Sequence, residues 1–500
     1  MTVSARIIKK IVFRIPIIVK SPTHIGSGID DGITDLLVLK DEEGMPFIPA
    51  TSLAGVLRQH IRNVCTEADA DFLFGSRVTE QINQDGDCLY GQSRINIQDT
   101  MLKRELKRDE NGKDSEEQSV RVVDSVAIDD ITGVGIDGAK YDYEVVESGV
   151  TGMVKMEITE RQTDCQQGDV LRLAKVLAGF FITGFQVGAM TSKGYGMIRC
   201  RDRNANLYYV FDFSEPNQFV NWKQYINTSG EKLPDPNGRD GRNWHKGTEN
   251  KFIPEDELCL DMYFDLKSSL LIRDYDCVSD GVQAAQFQWQ GNYVIPGTSL
   301  KGVFRHSAKH ILQQCMTDED KVISMLNDLM GYSNGKVGEE AKGQKSRLSI
   351  QEVHIAKSAV RAQKHTRNRI DRFTGETIQG ALFTEEPIWK LKNQQDPIHI
   401  HLNVSRCTLA DAGLLLIVMK GLWLGDIAIG GGKAIGRGIL CGRKAQMQYK
   451  GWRIEIDGGK TLTIQGSRTD NGKQVPCEGE QCMAFMESCV QAIGGENNGR

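Results

Sequence analysis

One passage of this sequence is written twice, and that duplication limits the fold more than any other feature. Phe47-Ile48-Pro49-Ala50-Thr51-Ser52-Leu53-Ala54-Gly55-Val56-Leu57-Arg58 returns as Val294-Ile295-Pro296-Gly297-Thr298-Ser299-Leu300-Lys301-Gly302-Val303-Phe304-Arg305, an offset of 247. A second block, Ala127-Ile128-Asp129-Asp130-Ile131-Thr132-Gly133, returns as Arg369-Ile370-Asp371-Arg372-Phe373-Thr374-Gly375, and a third, Gly188 through Gly194-Tyr195-Gly196, as Gly430 through Gly436-Arg437-Gly438, both at 242. Three blocks in one order at nearly one spacing mean a tandem duplication. A chain of 500 residues allows two to four domains. The repeats reduce this to two like domains, 1–210 and 255–445, with a linker over 211–254 and a C-terminal extension over 446–500. Within the linker, 229–255 mixes Gly, Pro, Asn and Asp without apolar periodicity.

Each repeat reads as strand, loop, helix, long insertion, strand pair, helix, Gly-rich loop and strand. Leu53, Val56, Leu57 and Ile61 form one apolar stripe at helical spacing, with Thr51 or Ser52 as N-cap. Arg58 and Arg62 lie four apart on the other side, and Arg305 and Lys309 repeat them. The second helix is expected near 169–179 in the first repeat and 409–421 in the other. Two helices against an antiparallel sheet give an α+β class, a ferredoxin-like or RRM-like unit twice over.

The Gly-rich loops follow a helix and precede a strand, the reverse of a mononucleotide P-loop or a dinucleotide fingerprint, so both of those are excluded. Glycine lets backbone amides approach a polyanion, and Lys193, Gly194 and Gly196, with Lys433, Gly436 and Arg437, are candidate phosphate contacts. The helix starts at Ser52 and at Ser299, flanked by Arg58 or by Lys301 and Arg305, offer a second anion site.

With Lys+Arg at 61 against Asp+Glu at 66, the net charge of −5 excludes a nonspecific nucleic-acid coat, so any RNA contact must be local. No apolar run reaches the ~18 residues of a membrane span, and Arg6, Lys9, Lys10 and Arg14 interrupt any signal-peptide core, which predicts a cytosolic protein with no membrane partner. The 12 cysteines include no Cys-x-x-Cys pair, and Cys477, Cys482 and Cys489 lack the spacing of structural zinc, so no metal ligands are expected.

At these three blocks the chain resembles the repeat-associated mysterious protein (RAMP) superfamily, and within it the backbone subunits of type III CRISPR effector complexes, here as a III-D-like tandem fusion. The blocks that carry the resemblance are Ile295 to Arg305, Ile370 to Gly375 and the glycine loop, and it takes in about 400 residues. It implies two palms with β-hairpin thumb insertions. It also implies CRISPR RNA held by the basic helix and glycine loops, a complementary target RNA, and partners that include a large signalling subunit and further RAMP subunits. Asp129, Asp371 and Arg372 would lie near the thumb and its target contact. The thumbs themselves are expected over 101–120 and 352–367.

In this family a loop aspartate supports target cleavage at regular intervals. Asp35, upstream of Lys40, Asp41, Gly44 and Pro46 to Pro49, fits that pattern, with Asp30 and Asp31 as local alternatives and His24 as an assistant. A carboxylate that takes the proton of an attacking 2′-hydroxyl, with a divalent cation such as Mg²⁺ at the scissile phosphate, supplies the chemistry. Offset 247 puts Val282 opposite Asp35, which leaves the displaced Asp280 as the second catalytic candidate and Asp274 and Asp276 behind it. The rival readings are a noncatalytic guide-RNA scaffold and a stand-alone nuclease that matures guide precursors; the latter calls for a repeated histidine site, which the nine histidines do not form.

Overall fold

The computed structural model describes residues 6–29, 32, 34–75, 92–104, 119–128, 135–162, 164, 169–202, 207–227, 256–274, 281–289, 291–334, 342–391, 398–459, 461–470 and 473–494. They fall into two compact units, one running to Pro254 save for 192–194, which group with the other, and one from Glu255 onward.

The first unit is built on strand Ile7–Val19, where Ile11, Phe13, Ile15, Ile17 and Val19 alternate into the core. It lies between Thr151–Arg161 and Met197–Cys200, antiparallel to both. The same trio recurs in the second unit. Strand Leu258–Leu266 buries Leu258, Leu260, Met262, Phe264 and Leu266 and pairs with Ile398–Val404 and Leu440–Tyr449. Helices pack on the apolar face. In the first unit α1 (Ala50–Val64) buries Leu53, Leu57 and Ile61, and its chain continues into the short α2 (Glu67–Phe74). Helix α3 (Val170–Thr183) is capped by Asp169, whose side chain accepts from the Arg172 amide. In the second unit α5 (Gly297–Cys315) and α6 (Glu319–Met330) repeat α1 and α2, and α7 (Leu409–Leu424) repeats α3, started by a capping box of Thr408 and Asp411. Both α2 and α6 fall inside the stretch expected as a long insertion; α2 is too short for its periodicity to stand out, whereas α6 carries Val322, Leu326 and Leu329 at helical spacing behind the Asp318 cap.

The units differ at their edges. In the first, α4 (Pro216–Asn227) lays Trp222 and Tyr225 over Val12, Tyr209 and Phe211 on the sheet's outer side. In the second, the C-terminal extension continues the sheet through Trp452–Gly458, Leu462–Asp470 and Lys473–Cys477, and α8 (Gly479–Gln491) packs its Cys489 backbone close against Gly413 of α7. Among the described residues no helix is long and apolar enough to cross a membrane.

The first thumb hairpin pairs Val120–Ile128 with Gly135–Val146. This corrects the expected 101–120: Thr100–Lys103 is a palm strand between Phe47–Ile48 and Thr151–Arg161, and 105–118 lie outside the described residues. The second hairpin pairs His365–Arg367 with Phe383–Glu386 and is tipped by a turn closed between Ile370 and Thr377.

Candidate nucleic-acid interface and cleavage site

Asp35 stands exposed on the loop leading into the first repeated block. Its backbone amide donates to Asp142 Oδ1 at 2.9 Å, and the Asp142 amide donates back to Asp35 Oδ2 at 3.0 Å. This reciprocal pair fastens the loop to the thumb strand, which continues the joint through Glu144. One Glu144 oxygen accepts from the Val38 amide and the other from Lys40 Nζ at 2.8 Å. Asp41 Oδ1 accepts the amides of Glu43 and Met45, so the Lys40 to Gly44 portion of the pattern is a hairpin turn. His24 is buried, and its Nδ1 donates to the Glu144 carbonyl at 2.7 Å, which fixes the ring at the thumb base. Asp30, Asp31, Asp129, Asp276 and Asp280 lie outside the described residues, and Asp274 ends the short strand Arg273–Asp274.

Strand pairing corrects the counterpart of Asp35. Leu36 bridges Tyr143 in the first unit, and Ala284 pairs with Glu385 in the second, both parallel. The Gln283 amide donates to the Thr384 carbonyl and the Thr384 amide donates to the Gln283 side-chain oxygen, repeating the Asp35–Asp142 link. Exposed Gln283 therefore occupies the place of Asp35, and buried Val282 matches buried Thr34. The hairpin turn that follows is one residue shorter in the second repeat, which moves the true offset to 248. By the same logic His24, whose carbonyl accepts from Ala189, matches Leu271, whose carbonyl accepts from Gly431.

Several expected RNA contacts are engaged within the protein. Arg58 donates to the Gly75 carbonyl at 2.7 Å and pairs with Asp71; Arg305 donates to the Gly331 carbonyl at 3.1 Å and to Asn327 at 2.9 Å. Both arginines thus clamp the end of α2 or α6 to the preceding helix, which gives the repeated arginine a folding role. Arg62 pairs with Glu67, both half exposed. Arg437 is buried on Glu385 at 2.8 Å, where Arg367 at 3.1 Å and Arg273 at 3.4 Å also converge, so it does not face solvent as the loop motif suggested.

The helix starts also differ from expectation. Pro49 and Pro296 occupy the N-cap positions, without side-chain caps, so Ser52 and Ser299 sit inside the first turn. Asp99 Oδ1 already accepts the Ala50 amide at 2.7 Å, and the Ser299 and Leu300 amides both reach the Pro296 carbonyl. In the loops, the Gly196 amide donates to Pro22 and the Gly438 amide to Ser269. A Cβ at Gly438 would lie 1.8 Å from the Ile429 carbonyl, and one at Gly196 would lie 2.2 Å from that of Val187, which accounts for both glycines by close packing. Gly436 has positive φ and its amide turns back to Lys433.

Lys433 is exposed on the turn Lys433–Ile435, Lys193 is half-buried on Thr191–Lys193, and Lys309 is half-buried on α5. Lys301 is partly buried; burial first, and the nearby Arg305 charge second, bring its ammonium down to about 8. At the second thumb tip, Asp371 Oδ1 accepts the amides of Thr374 and Phe373, which in that order hold its carboxyl below the usual carboxylate range. Arg372 is exposed, and Phe373 is 95% exposed. An aromatic ring at that place suits stacking on a base. Its position inside a repeated block is the sequence signal for it.

The residues present fit a hard divalent cation at the first site: Asp35 and Asp142 each keep a carboxylate oxygen outside their amide pair, the donor type that Mg²⁺ takes together with water and substrate phosphate.

The RAMP superfamily model matches residues 17–199 and 266–441, more than half of the chain and both repeats. Among solved structures, a chain in the cryo-EM structure of the Type III-B Cmr-beta bound to cognate target RNA is similar at 15% identity with a TM-score of 0.27, over 41% of this chain and 61% of that one. This chain therefore spans about three fifths of that relative's length. Among curated proteins, none matches the sequence.

Proposed function

Because the chain belongs to the RAMP superfamily through both of its repeats, we propose that it is a backbone subunit of a type III CRISPR effector complex, holding CRISPR RNA and cutting complementary target RNA at one site served by Asp35. The observation that carries this reading is the pairing that aligns exposed Asp35 with Gln283. A carboxylate can take a proton from a ribose 2′-hydroxyl, whereas a carboxamide cannot, so the second repeat retains the mounting without the base. The Asp142 amide orients Asp35 through Oδ2 and leaves Oδ1 for the hydroxyl. A bound Mg²⁺, held by the remaining oxygen of Asp142, would supply charge at the scissile phosphate.

Guide contact falls to Lys193, Lys301, Lys309, Lys433 and Arg62, with Ser52 and Ser299 at the helix starts, while Arg58, Arg305 and Arg437 support the fold from inside. Arg372 and Phe373 face the target at the second thumb. A cytoplasmic ribonucleoprotein with the large signalling subunit and further RAMP subunits completes the reading. The scaffold alternative describes the second repeat well, since Gln283 and Leu271 stand where Asp35 and His24 stand in the first.

The test maps product ends on labelled complementary RNA using complexes that carry Asp35→Ala, Asp280→Ala or both. One product should vanish with Asp35→Ala, with a loss of about 10²–10⁴ in rate, and none with Asp280→Ala. A product lost only in Asp280→Ala would return the second repeat to the mechanism. Guide RNA carried by Lys301→Glu/Lys433→Glu protein should fall while Asp35→Ala protein carries the wild-type amount; equal guide content in all of them would contradict the binding assignment.

A further inference from the structure

The outer side of the second sheet gathers side chains that the RNA reading does not use. Strand Leu258–Leu266 buries every second residue, so Cys259, Asp261 and Tyr263 share the opposite face, and His399 and His401 share it on Ile398–Val404. The register sets Asp261 directly opposite His401. The Cys259 thiol, an Asp261 oxygen and a His401 nitrogen all lie within 4.8 Å of one another. His399 Nε2 and His401 Nδ1 approach the same Asp261 Oδ1, at 2.7 and 2.8 Å, and Cys259 Sγ lies 3.9 Å from Oδ2. Tyr263 stacks on His399 with ring centroids 4.5 Å apart and so fixes that ring.

From this convergence we propose a binding site for a divalent transition metal of the zinc class, with Cys259, Asp261 and His401 as its three protein ligands. Metal–sulfur bonds of about 2.3 Å and metal–nitrogen or –oxygen bonds of about 2.0–2.2 Å place such donors roughly 3–4 Å apart, a small contraction from the present spacing. Thiolate and imidazole together select zinc or cobalt over magnesium or calcium. Without metal, burial and then the charges of Asp261 and Glu257 push the Cys259 thiol up to about 12, so a metal that binds there must displace its proton. The ion would tie together two strands whose ligands are 140 residues apart in sequence. The site is particular to the second unit: Arg14 pairs with Lys155 in the first unit as Asp261 pairs with His401 in the second, and Val12 stands where Cys259 does.

Chelator-stripped full-length protein titrated with Co²⁺ tests the proposal. One equivalent should bind per chain, with visible ligand-field absorption of tetrahedral intensity and a thiolate-to-cobalt charge-transfer band in the near ultraviolet, both displaced by Zn²⁺. Titration in two buffers of different ionisation enthalpy should show about one proton released. Cys259→Ser should lose the charge-transfer band, and His401→Gln should weaken binding by roughly tenfold or more. Cobalt bound without the charge-transfer band, or with unchanged spectrum and affinity in Cys259→Ser, would be an adventitious ion and would overturn the site. Should Cys259→Ser fail to fold by circular dichroism, His401→Gln decides alone, with unchanged affinity counting against the site.

Discussion

In the first unit the base of the thumb meets the glycine loop through Tyr143 and Tyr195, whose hydroxyls lie 3.2 Å apart; at the matching positions of the second, Glu385 and Arg437 meet at 2.8 Å. Both joints are buried. The backbone around them is the same in both units, since Gly196 and Gly438 each return to the carbonyl that begins the loop opposite. The duplicated fold therefore fixes where two side chains must meet and leaves their chemistry open. A neutral pair tolerates the loss of one hydroxyl, whereas an ion pair out of water depends on both partners. Glu385 is also shared by Arg367 and Arg273, so one carboxylate holds together the thumb, the loop and the strand Arg273–Asp274.

The comparison is most severely tested at Glu385. Glu385→Ala leaves Arg437 buried and uncompensated and should cost about 3–5 kcal/mol in denaturant unfolding of the second unit. Replacing both residues with tyrosine should restore most of that loss, and failure to do so would mean that the two joints are not equivalent. The helix clamps come next. Arg58→Ala and Arg305→Ala should each cost about 1.5–3 kcal/mol, the range for hydrogen bonds from a charged group, with the two values close to each other if the clamps are true equivalents. Tyr143→Phe should cost only about 1 kcal/mol. Lys301, which burial brings down to about 8, adds a pH-dependent test. An unfolded lysine titrates near 10.4, so between these values the unfolded chain holds more protons and stability must rise with pH. Unfolding measured from pH 8 to 10 should therefore show wild type gaining on Lys301→Met, and a constant gap would remove the pKa assignment.

What the sequence made legible followed from periodicity and repetition. Alternation along Ile11 to Val19 and the stripe of Leu53, Leu57 and Ile61 defined the two α+β palms, because burial on one face leaves a regular trace. The matched blocks mark the two palms as equivalents. The roles of the repeated cations were not legible. Arg58 and Arg437 read as phosphate contacts because one lies opposite the apolar stripe and the other inside a glycine loop, while their actual partners, Asp71 and Glu385, are set by packing between elements. Gln283 was hidden by one residue lost from a turn, which an ungapped offset cannot register. The Cys259, Asp261, His399 and His401 cluster was hidden too, since ligands two apart on separate strands form no motif.

The central claim is that a shared mounting carries a working carboxylate in one repeat and an inert amide in the other. Its most direct test is the single-turnover cleavage of complementary RNA by a complex bearing Asp35→Gln, which gives the first repeat the residue type of the second. The product assigned to Asp35 should slow by about 10²–10⁴ while guide content and target binding stay at wild-type levels. Cleavage at the wild-type rate and position with glutamine at 35 would contradict the account.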